Sequence, residues 1–271
     1  MQLQQWLNQA SSRLSAAGIS AFRLECQVIA AHALLVDRTF VLTHPDHEVN
    51  ELAFERLLQR RENGEPLAYI LGYREFFSRR FRVDPSVLIP RQETEVLVET
   101  ALEFPKEKCR VLDIGTGSGC IAITLKLERP DWEVWATDIS SSALQVAREN
   151  AETLGADISF RHSDLLSQLD GEKFDLIVSN PPYIGREEVL SMEVKDFEPD
   201  SALFAEDNGL ALYRLLAVQA PKHLVLGGQI ILEIGYRQGE AISSFFPGSD
   251  VIKDLEGNNR VVRWTYADDN I

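Results

Sequence analysis

The chain has 271 residues, 45% hydrophobic and 25% charged, which is enough for one large domain, or a large and a small one, with a substantial core. Its formal net charge of −15 argues against a protein that takes its affinity from nucleic-acid phosphates, because such contacts need clustered Lys and Arg. The opening residues have no basic segment followed by an apolar one, and no stretch approaches about 18 uncharged apolar residues. We therefore expect a cytoplasmic protein with no membrane span and no direct nucleic-acid partner.

The cysteines and histidines form no metal-binding pattern. Cys26, Cys109 and Cys120 lie far apart in apolar sequence, which favours reduced thiols in the core over disulfides or a zinc site. The five His residues are scattered. We predict that the protein holds no metal.

The first part of the chain has helical periodicity and no strand alternation. Predicted helices span about residues 2–17, 20–35 and 48–63. This pattern indicates a small helical bundle, and we predict a separate helical domain over residues 1–73.

A β-hairpin is predicted next, with strands at residues 74–77 and 80–83. Asp84-Pro85 then turns the chain toward the apolar residues 87–90. We interpret residues 74–90 as a linker to a second domain at residues 91–271.

From Glu93 onward, helices and strands alternate, which is typical of a mostly parallel sheet covered on both faces. Helices are predicted at 93–104, 118–128, 141–154, 209–220 and 237–246. Strands are predicted at 110–114, 133–137, 158–162, 174–179, 228–234, 250–254 and 260–266. The last two strands are joined by a tight turn and must pair antiparallel. Seven strands with a closing hairpin match the α/β class I methyltransferase fold better than an all-parallel dinucleotide-binding fold.

A glycine-rich turn follows the first predicted strand of this sheet. Gly115, Gly117 and Gly119 alternate before a predicted helix, so the backbone can approach a ligand closely and direct N–H groups at it. Cys120 stands where a dinucleotide-binding turn has its third glycine, and no Gly-Lys-Ser/Thr follows. Asp113, just before the glycines, favours a ligand with a cationic amino-acid end over a pyrophosphate.

Two further acids follow the next strands. Asp138 ends the second strand of the sheet, where a carboxylate can accept hydrogen bonds from two ribose hydroxyls, although a helix cap at Asp138 or Ser140 is an alternative. Ser163-Asp164 ends the third strand, where an adenine amine would lie, and an ordinary turn is the alternative there. Three acids at successive strand ends together favour a ligand crevice.

The tetrapeptide Asn180-Pro181-Pro182-Tyr183 follows the fourth strand directly. The prolines stiffen the turn and lack N–H donors, so backbone carbonyls stay available as acceptors. The Asn180 oxygen and the Pro181 carbonyl suit the two hydrogens of a planar NH2 group, with Tyr183 packed on its flat face. Taken alone, such a tetrapeptide is more often an ordinary Asn-Pro turn that closes a strand, and its neighbours decide between the two interpretations.

With these motifs the chain resembles the S-adenosylmethionine-dependent class I methyltransferases, and specifically the HemK/PrmC family, over nearly its full length. Further segments that carry the resemblance are residues 65–72, 87–91, 93–95 and 197–199 with Ala202-Leu203. Gln92 departs from the family pattern, which often has Pro there, and this affects only local rigidity.

The resemblance implies methyl transfer from S-adenosylmethionine to the side-chain amide nitrogen of the glutamine in the Gly-Gly-Gln motif of class-1 peptide chain release factors, modulating translation termination. It also implies that the helical domain recognises the substrate and that S-adenosylhomocysteine is the product. The implied catalytic residues are Asn180, Pro181 and Tyr183, with Pro182 also binding substrate. The implied cofactor-binding residues are Asp113, Gly115, Thr116, Gly117, Ser118, Gly119, Asp138, Ile139, Asp164, Leu165 and Asn180.

Three other functions remain open at this point. A glutamine methyltransferase acting on a ribosomal protein would share nearly every motif. A methyltransferase acting on an exocyclic amine of a nucleic-acid base would present the same flat NH2 group, although the acidic charge balance disfavours it. The chain could also be a catalytically idle adenosylmethionine-binding module, against which the intact tetrapeptide argues.

The charge is unevenly distributed. Residues 56–91 carry eight Arg against four acids, a local balance of +4, so the remainder carries −15 − 4 = −19. This segment is either a docking face for an acidic partner or a set of ordinary solvated positions.

The acidic residues 185–207 are either a loop that moves until substrate binds or a fixed acidic surface.

Overall fold

The computed structural model of the protein describes residues 1–267. The chain forms two compact units. Residues 1–73 with 190–197 make a helical unit, and residues 74–189 with those from 198 onward make a sheet-containing unit.

The helical unit begins with five helices, of which the three longest were predicted and are confirmed with slightly shifted ends. Two short helices were not predicted, because six and five residues are too few to establish a helical period. The bounds are α1 (Leu3–Ala16), α2 (Phe22–Leu34), α3 (Arg38–Thr43), α4 (Glu51–Glu62) and α5 (Leu67–Leu71). Capping by Asp37, whose side chain accepts from the Phe40 N–H, explains where α3 begins.

A single apolar core holds these helices together. Leu3, Trp6, Phe54 and Leu58 from α1 and α4 are almost fully buried in it, and the rings of Trp6 and Phe54 meet edge to face. Burial of this apolar stripe stabilises the unit more than helix propensity does.

A further helix, α6 (Met192–Phe197), belongs to the same unit. It lies inside the acidic segment for which the sequence predicted no helix. Arg61 is buried and forms ion pairs with Glu25 at 2.5 Å and with Glu193 of α6 at 3.2 Å. An acid of this segment therefore compensates a buried guanidinium.

The other unit is built on a seven-stranded sheet, preceded by a hairpin of β1 (Tyr73–Phe76) and β2 (Arg79–Arg82). The sheet strands are β3 (Arg110–Ile114), β4 (Glu133–Asp138), β5 (Ile158–His162), β6 (Phe174–Ser179), β7 (Leu224–Glu233), β8 (Asp250–Lys253) and β9 (Asn259–Thr265). Their order is β5-β4-β3-β6-β7-β9-β8. The first five pair in parallel, and β9 pairs antiparallel with both β7 and β8. The predicted class I methyltransferase fold with its closing hairpin is confirmed.

Helices cover both faces of the sheet. A 3-10 helix (Gln92–Thr94) precedes the first of these helices, and a second one (Ala220–Lys222) precedes β7. The helices are α7 (Glu95–Leu102), α8 (Cys120–Glu128), α9 (Ser141–Leu154), α10 (Asp200–Leu203), α11 (Ala211–Gln219) and α12 (Gly239–Ser243). On one face α7, α8 and α9 share a core with Phe76 and Phe81 of the hairpin, and on the other face α11 and α12 form a second core. Consecutive residues of β3 alternate between the faces: Val111 lies in the first core and Leu112 in the second.

Two predicted elements have clearly different bounds in the structure. The helix predicted at 237–246 is limited to Gly239–Ser243, and tighter, 3-10-type turns complete the segment, in which Phe245 and Phe246 donate to carbonyls three residues earlier. β7 begins at Leu224, four residues before the predicted start, because a register irregularity opposite Phe174 and Leu176 lets the strand continue through its glycines. Within residues 185–207, α10 is a further unpredicted helix. No helix within residues 1–267 is long and apolar enough to cross a membrane.

Candidate functional site

A cavity of about 400 Å³ lies at the carboxyl ends of the parallel strands, the edge at which open α/β sheets bind ligands. This volume suits a nucleoside-sized ligand. The lining includes residues 86–88, 90–91, Thr94, 114–118, 138–140, 163–165, 179–182 and several residues of the segment 199–206. Of the predicted site residues, this brings together Gly115 to Ser118, Asp138, Ile139, Asp164, Leu165 and Asn180 to Pro182.

The glycine-rich turn has the backbone geometry that only glycine adopts without strain. Gly115, Gly117 and Gly119 all have positive φ, at 71°, 55° and 83°. The N–H groups of Gly115 and Thr116 both donate to the Thr137 carbonyl at 2.9 Å, which ties the turn to β4. Gly119 does not line the cavity. A Cβ there would lie 2.8 Å from Ile123 Cδ1 of α8 and 3.2 Å from Ala147 Cβ of α9, so this glycine permits α8 and α9 to pack closely.

Asp113 lies behind the turn and does not line the cavity. Its carboxyl is fully buried, and Oδ2 accepts hydrogen bonds from the Thr116 hydroxyl at 2.7 Å and the Ala122 N–H at 3.3 Å. Oδ1 has no hydrogen-bond partner among residues 1–267, and burial raises the pKa of the carboxyl to about 7. Asp113 thus supports the turn and the start of α8, and its contact with the ligand stays a prediction.

Asp138 lines the cavity at the end of β4. Its Oδ2 accepts from the Gly117 N–H at 2.9 Å and its Oδ1 from the Ser140 N–H at 2.8 Å. Burial raises the pKa of this carboxyl, while the hydrogen bonds from Ser140 and Gly117 act in the opposite direction. The helix cap is Ser140, whose hydroxyl accepts from the Ala143 N–H at 3.2 Å, while the Asp138 carboxylate faces the cavity and its contact with ribose hydroxyls stays a prediction.

The loop after β5 forms the next part of the wall. The Ser163 N–H donates to the Asp138 carbonyl at 3.0 Å, and the Ser163 hydroxyl donates to the Leu165 carbonyl at 2.9 Å. Leu165 has a positive φ of 48°. Asp164 and Ile139 also line the cavity. Two apolar side chains and an exposed carboxylate therefore converge on one side of the site.

The tetrapeptide 180–183 is divided between the cavity and the core. Asn180, Pro181 and Pro182 line the cavity, whereas Tyr183 packs against the core on the α11 face of the sheet. The Tyr183 carbonyl accepts from Gln238 Nε2 at 2.9 Å, and burial raises the pKa of its phenol to about 12. Asn180 Nδ2 donates to the Thr94 hydroxyl at 3.3 Å.

Several site residues were not found from the sequence. Thr94 lines the cavity and binds Asn180. Glu233, which ends β7, is 1% exposed, and burial raises the pKa of its carboxyl to about 7. A single acid inside an otherwise apolar strand was the available signal for Glu233, whereas nothing local to Thr94 distinguishes it from other helix-start residues.

A buried ion pair borders the cavity. Glu198 is buried, and its carboxylate accepts from the Ile89 N–H at 3.1 Å and pairs with Arg91 at 2.5 Å. Arg91 and the neighbouring Pro199 both line the cavity. Glu198 thereby fixes the segment 87–91 beside the site.

Most arginines of the segment 56–91 form ion pairs within the chain. Six of the eight pair with acids: Arg60, Arg61, Arg79, Arg80, Arg82 and Arg91. Whether any of them contacts a partner protein stays a prediction. The cysteines Cys26, Cys109 and Cys120 are free and buried, and no group of three or more His, Cys, Asp or Glu residues in the described part of the chain could hold a metal ion.

Comparison with known proteins gives consistent matches for both parts of the chain. Residues 91–209 match the family model of the methyltransferase small domain, and residues 5–72 match that of the PrmC N-terminal domain. A release factor glutamine methyltransferase from Koribacter versatilis is 42% identical over 273 residues, which cover 97% of this chain and 98% of the relative. One from Neisseria gonorrhoeae is 45% identical over 257 residues, covering 90% and 93%.

Among solved structures, a methyltransferase from Pyrococcus furiosus aligns with a TM-score of 0.56 at 17% identity, covering 80% of this chain and all of that one. At this identity the similarity concerns the fold alone.

Proposed function

This chain belongs to the family of release factor glutamine methyltransferases, and we propose that it methylates the side-chain amide nitrogen of the glutamine in the Gly-Gly-Gln motif of class-1 peptide chain release factors, and so modulates translation termination. One observation carries the proposal: Asn180 and the two prolines line the same cavity as the glycine-rich turn and Asp138. The residues proposed to hold the substrate amide and those proposed to bind the methyl donor thus line the same cavity.

The residues of the cavity fit S-adenosylmethionine, which would supply the methyl group. The carboxylate of Asp138 suits the ribose hydroxyls, because two backbone N–H groups hold it in place while it faces the cavity. The apolar side chains of Ile139 and Leu165 suit an adenine ring, and Asp164 is placed for its amine. The positive φ of Gly115 and Gly117 leaves the backbone open to close approach by the amino-acid end.

Asn180 and Pro181 would hold the substrate amide. Asn180 uses its NH2 group on Thr94, so its Oδ1 is the atom left to accept a substrate N–H. Within residues 1–267 no N–H or O–H group donates to the Pro181 carbonyl, which is thus available for the other substrate hydrogen. Two acceptors at fixed positions favour positive charge developing on the nitrogen and align it for in-line displacement.

The reaction needs no dedicated base among these residues. The nitrogen–methyl bond forms as the sulfur–methyl bond breaks, and the nitrogen then loses one proton to water. Tyr183 stays protonated near neutral pH, because burial raises its pKa to about 12. We assign Tyr183 to holding the tetrapeptide in place by its packing in the core, since its ring does not line the cavity.

Residues 1–73 of the helical unit are proposed to recognise the substrate protein. Their match to the PrmC N-terminal domain supports this assignment.

A methyl-transfer assay tests the substrate. Radiolabelled S-adenosylmethionine is offered with a release factor, a ribosomal protein and DNA in parallel reactions. We expect label on the release factor only, and none when its Gly-Gly-Gln glutamine is replaced by Glu. Label on DNA alone, or on the ribosomal protein alone, would contradict the proposed substrate.

The same assay tests the role of Asn180. Asn180→Ala should lower kcat by about 10²- to 10³-fold, as loss of one preorganised hydrogen-bonding group does, with cofactor affinity nearly unchanged. Near-normal turnover of this variant would show that Asn180 does not hold the substrate amide.

A further inference from the structure

The side-chain amide of Gln238 joins three backbone segments around the tetrapeptide 180–183. Its Nε2 donates to the Tyr183 carbonyl at 2.9 Å and to the Asn208 carbonyl at 3.4 Å, and its Oε1 accepts from the Gly235 N–H at 3.0 Å. These groups belong to the end of the tetrapeptide, to the turn before α11 and to the turn after β7. One amide thus uses both of its hydrogens and its oxygen.

The neighbours of this amide admit one orientation only. Two carbonyls face its nitrogen and an N–H faces its oxygen, so a flipped amide would direct oxygen at the carbonyls and its NH2 group at the Gly235 N–H. A carboxylate at position 238 would supply the acceptor for Gly235 and lack both donors. Gln238 therefore supplies donors and an acceptor that no charged side chain of similar length provides together.

Two glycines let the surrounding turns approach the tetrapeptide closely. A Cβ at Gly209 would lie 2.0 Å from the Tyr183 carbonyl oxygen, and one at Gly235 would lie 2.8 Å from Gln238 Oε1 and 3.4 Å from Tyr183 Cδ2. Larger residues at either position would push the turns away from the tetrapeptide. The approach of both turns places the Tyr183 carbonyl within reach of Gln238.

The turn before α11 has a backbone conformation that needs support from its surroundings. Asp207, Asn208 and Gly209 have consecutive positive φ angles of 55°, 52° and 83°. The left-handed region is unfavourable for residues other than glycine, and such segments persist where neighbouring contacts hold them. The bond from Gln238 to the Asn208 carbonyl is one such contact, and it links this turn to the tetrapeptide.

The tetrapeptide is held at both of its ends. Before it, the Ser179 hydroxyl donates to the Ile114 carbonyl at 2.7 Å, within the sheet. At its last residue, Gln238 holds the Tyr183 carbonyl. The two prolines between these anchors have a fixed φ, so little freedom remains for the acceptors proposed to hold the substrate amide.

We propose that Gln238 is a positioning residue, which keeps the acceptors of Asn180 and Pro181 in place relative to the methyl donor by holding the Tyr183 carbonyl. Gln238 is not among the described residues that line the cavity, so it acts through the tetrapeptide. This inference deepens the proposed function and rests on it for the identity of the substrate amide. Because in-line displacement depends on alignment, a shifted tetrapeptide lowers kcat rather than cofactor affinity.

Three variants test this role. Gln238→Met keeps a similar length and removes all three bonds, whereas Gln238→Glu keeps the acceptor for the Gly235 N–H and removes the donors. The control, Gln229→Met, removes a side-chain bond from Nε2 to the Thr265 hydroxyl at 3.2 Å in the same sheet. We expect both Gln238 variants to lower kcat on the order of tenfold, the scale of one lost hydrogen bond, with the Kd for S-adenosylmethionine nearly unchanged. Gln229→Met should retain kcat.

The two Gln238 variants separate positioning from support of the turn after β7. If the bond to Gly235 were the one that matters, Gln238→Glu would keep the wild-type kcat, and this result would overturn the proposal. The same holds if Gln238→Met matches Gln229→Met in kcat, or if kcat and cofactor affinity fall together. Should Gln238→Met fail to fold, Gln238→Glu decides, because it keeps the bond to Gly235.

A measurement without substrate separates this inference from the proposed substrate. The side-chain 15N–1H signals of Asn180 are identified by their loss in Asn180→Ala. They should shift in both Gln238 variants and stay in place in Gln229→Met. If no release factor is methylated but these shifts occur, the proposed function fails and the positioning of the tetrapeptide by Gln238 stands. If a release factor is methylated and the signals do not respond, the positioning role is wrong.

Discussion

The carboxylate of Glu198 is buried and forms an ion pair at 2.5 Å with Arg91, a residue 107 positions earlier in the chain. The same carboxylate accepts the Ile89 N–H, so it is satisfied by one charge and one backbone group. A buried charge that loses its partner destabilises the folded state more strongly than loss of an exposed pair.

Replacement of the guanidinium should therefore destabilise the protein. We expect Arg91→Ala to lower the free energy of unfolding by about 2–3 kcal/mol, less than for a fully buried pair because Arg91 is partly exposed. Urea denaturation without ligand measures this change. The double variant Arg91→Ala, Glu198→Gln should recover part of the lost free energy of unfolding, because it buries no unpaired carboxylate.

The matched control is an exposed ion pair. Arg186→Ala breaks the pair with Glu206, in which both side chains are more than half exposed, and should cost roughly 0.2–1 kcal/mol. An Arg91→Ala loss no larger than this control would contradict the structural role of the buried pair.

Asp138 should control cofactor affinity. Asp138→Ala removes the acceptor for the Gly117 N–H together with the group proposed for the ribose hydroxyls. The Kd for S-adenosylmethionine should rise by about tenfold to a hundredfold in calorimetric titration. Asp157→Asn, an exposed acid just before β5, makes a similar change in net charge outside the cavity and should leave Kd unchanged. An equal rise in Kd for both variants would indicate that the net charge of the protein, and not the carboxylate of Asp138 in the cavity, controls the affinity.

Gly119 should tolerate substitution less well than Gly115. In Gly119→Ala the added Cβ meets Ile123 Cδ1 at 2.8 Å in a backbone of positive φ, so we expect a loss of about 2–4 kcal/mol in the free energy of unfolding. At Gly115 nothing lies within 4 Å of an added Cβ, and only backbone strain of about 1–2 kcal/mol should appear.

Because the added Cβ meets Ile123 Cδ1, removal of Cδ1 should restore part of the stability that Gly119→Ala loses. Ile123→Val removes Cδ1, so the double variant Gly119→Ala, Ile123→Val should recover part of the stability measured by urea denaturation. Ile123→Val combined with Gly115→Ala should recover none. Equal changes in the free energy of unfolding for the two double variants would exclude the contact between the added Cβ and Ile123 Cδ1 as the cause of the loss.

The pH dependence of stability should report the burial of Asp113. Burial raises its pKa from an ordinary value near 3.8 to about 7, so between these values the folded state binds the proton more strongly than the unfolded state. The stability contributed by this proton is fully present below pH 3.8 and is lost as the pH rises through 7. Asp113→Asn has no such proton, so its free energy of unfolding relative to wild type should increase across this window, on the order of 2–4 kcal/mol. Urea denaturation at several pH values measures this difference. Asp157→Asn should show no comparable trend. If the difference in free energy of unfolding between Asp113→Asn and wild type does not change with pH, Asp113 is not the group that titrates in this range.

The sequence was sufficient for the strands, the longer helices and the class of fold. The apolar runs of β3, β4 and β6 and the tight turn before β9 were read correctly because strand period and turn chemistry are local properties. The short helices α3, α5 and α6 were missed, since their few turns are stabilised by contacts within their unit and carry no periodic signal.

The sequence by itself determined the chemistry offered at each strand end: flexible backbone at Gly115 and Gly117, a carboxylate at Asp138, and a stiff turn with acceptors at Asn180 and Pro181. Each of these features lies within a short stretch of contiguous sequence, so residue spacing and the backbone preferences of Gly and Pro are enough to predict it. Only the tertiary structure decided how they are supported. The bond from Asn180 to Thr94 spans 86 positions, and the burial of Asp113 depends on α8, whose Ala122 N–H donates to its carboxylate. Such contacts depend on which elements become adjacent in the fold, and no local pattern in the chain encodes that adjacency.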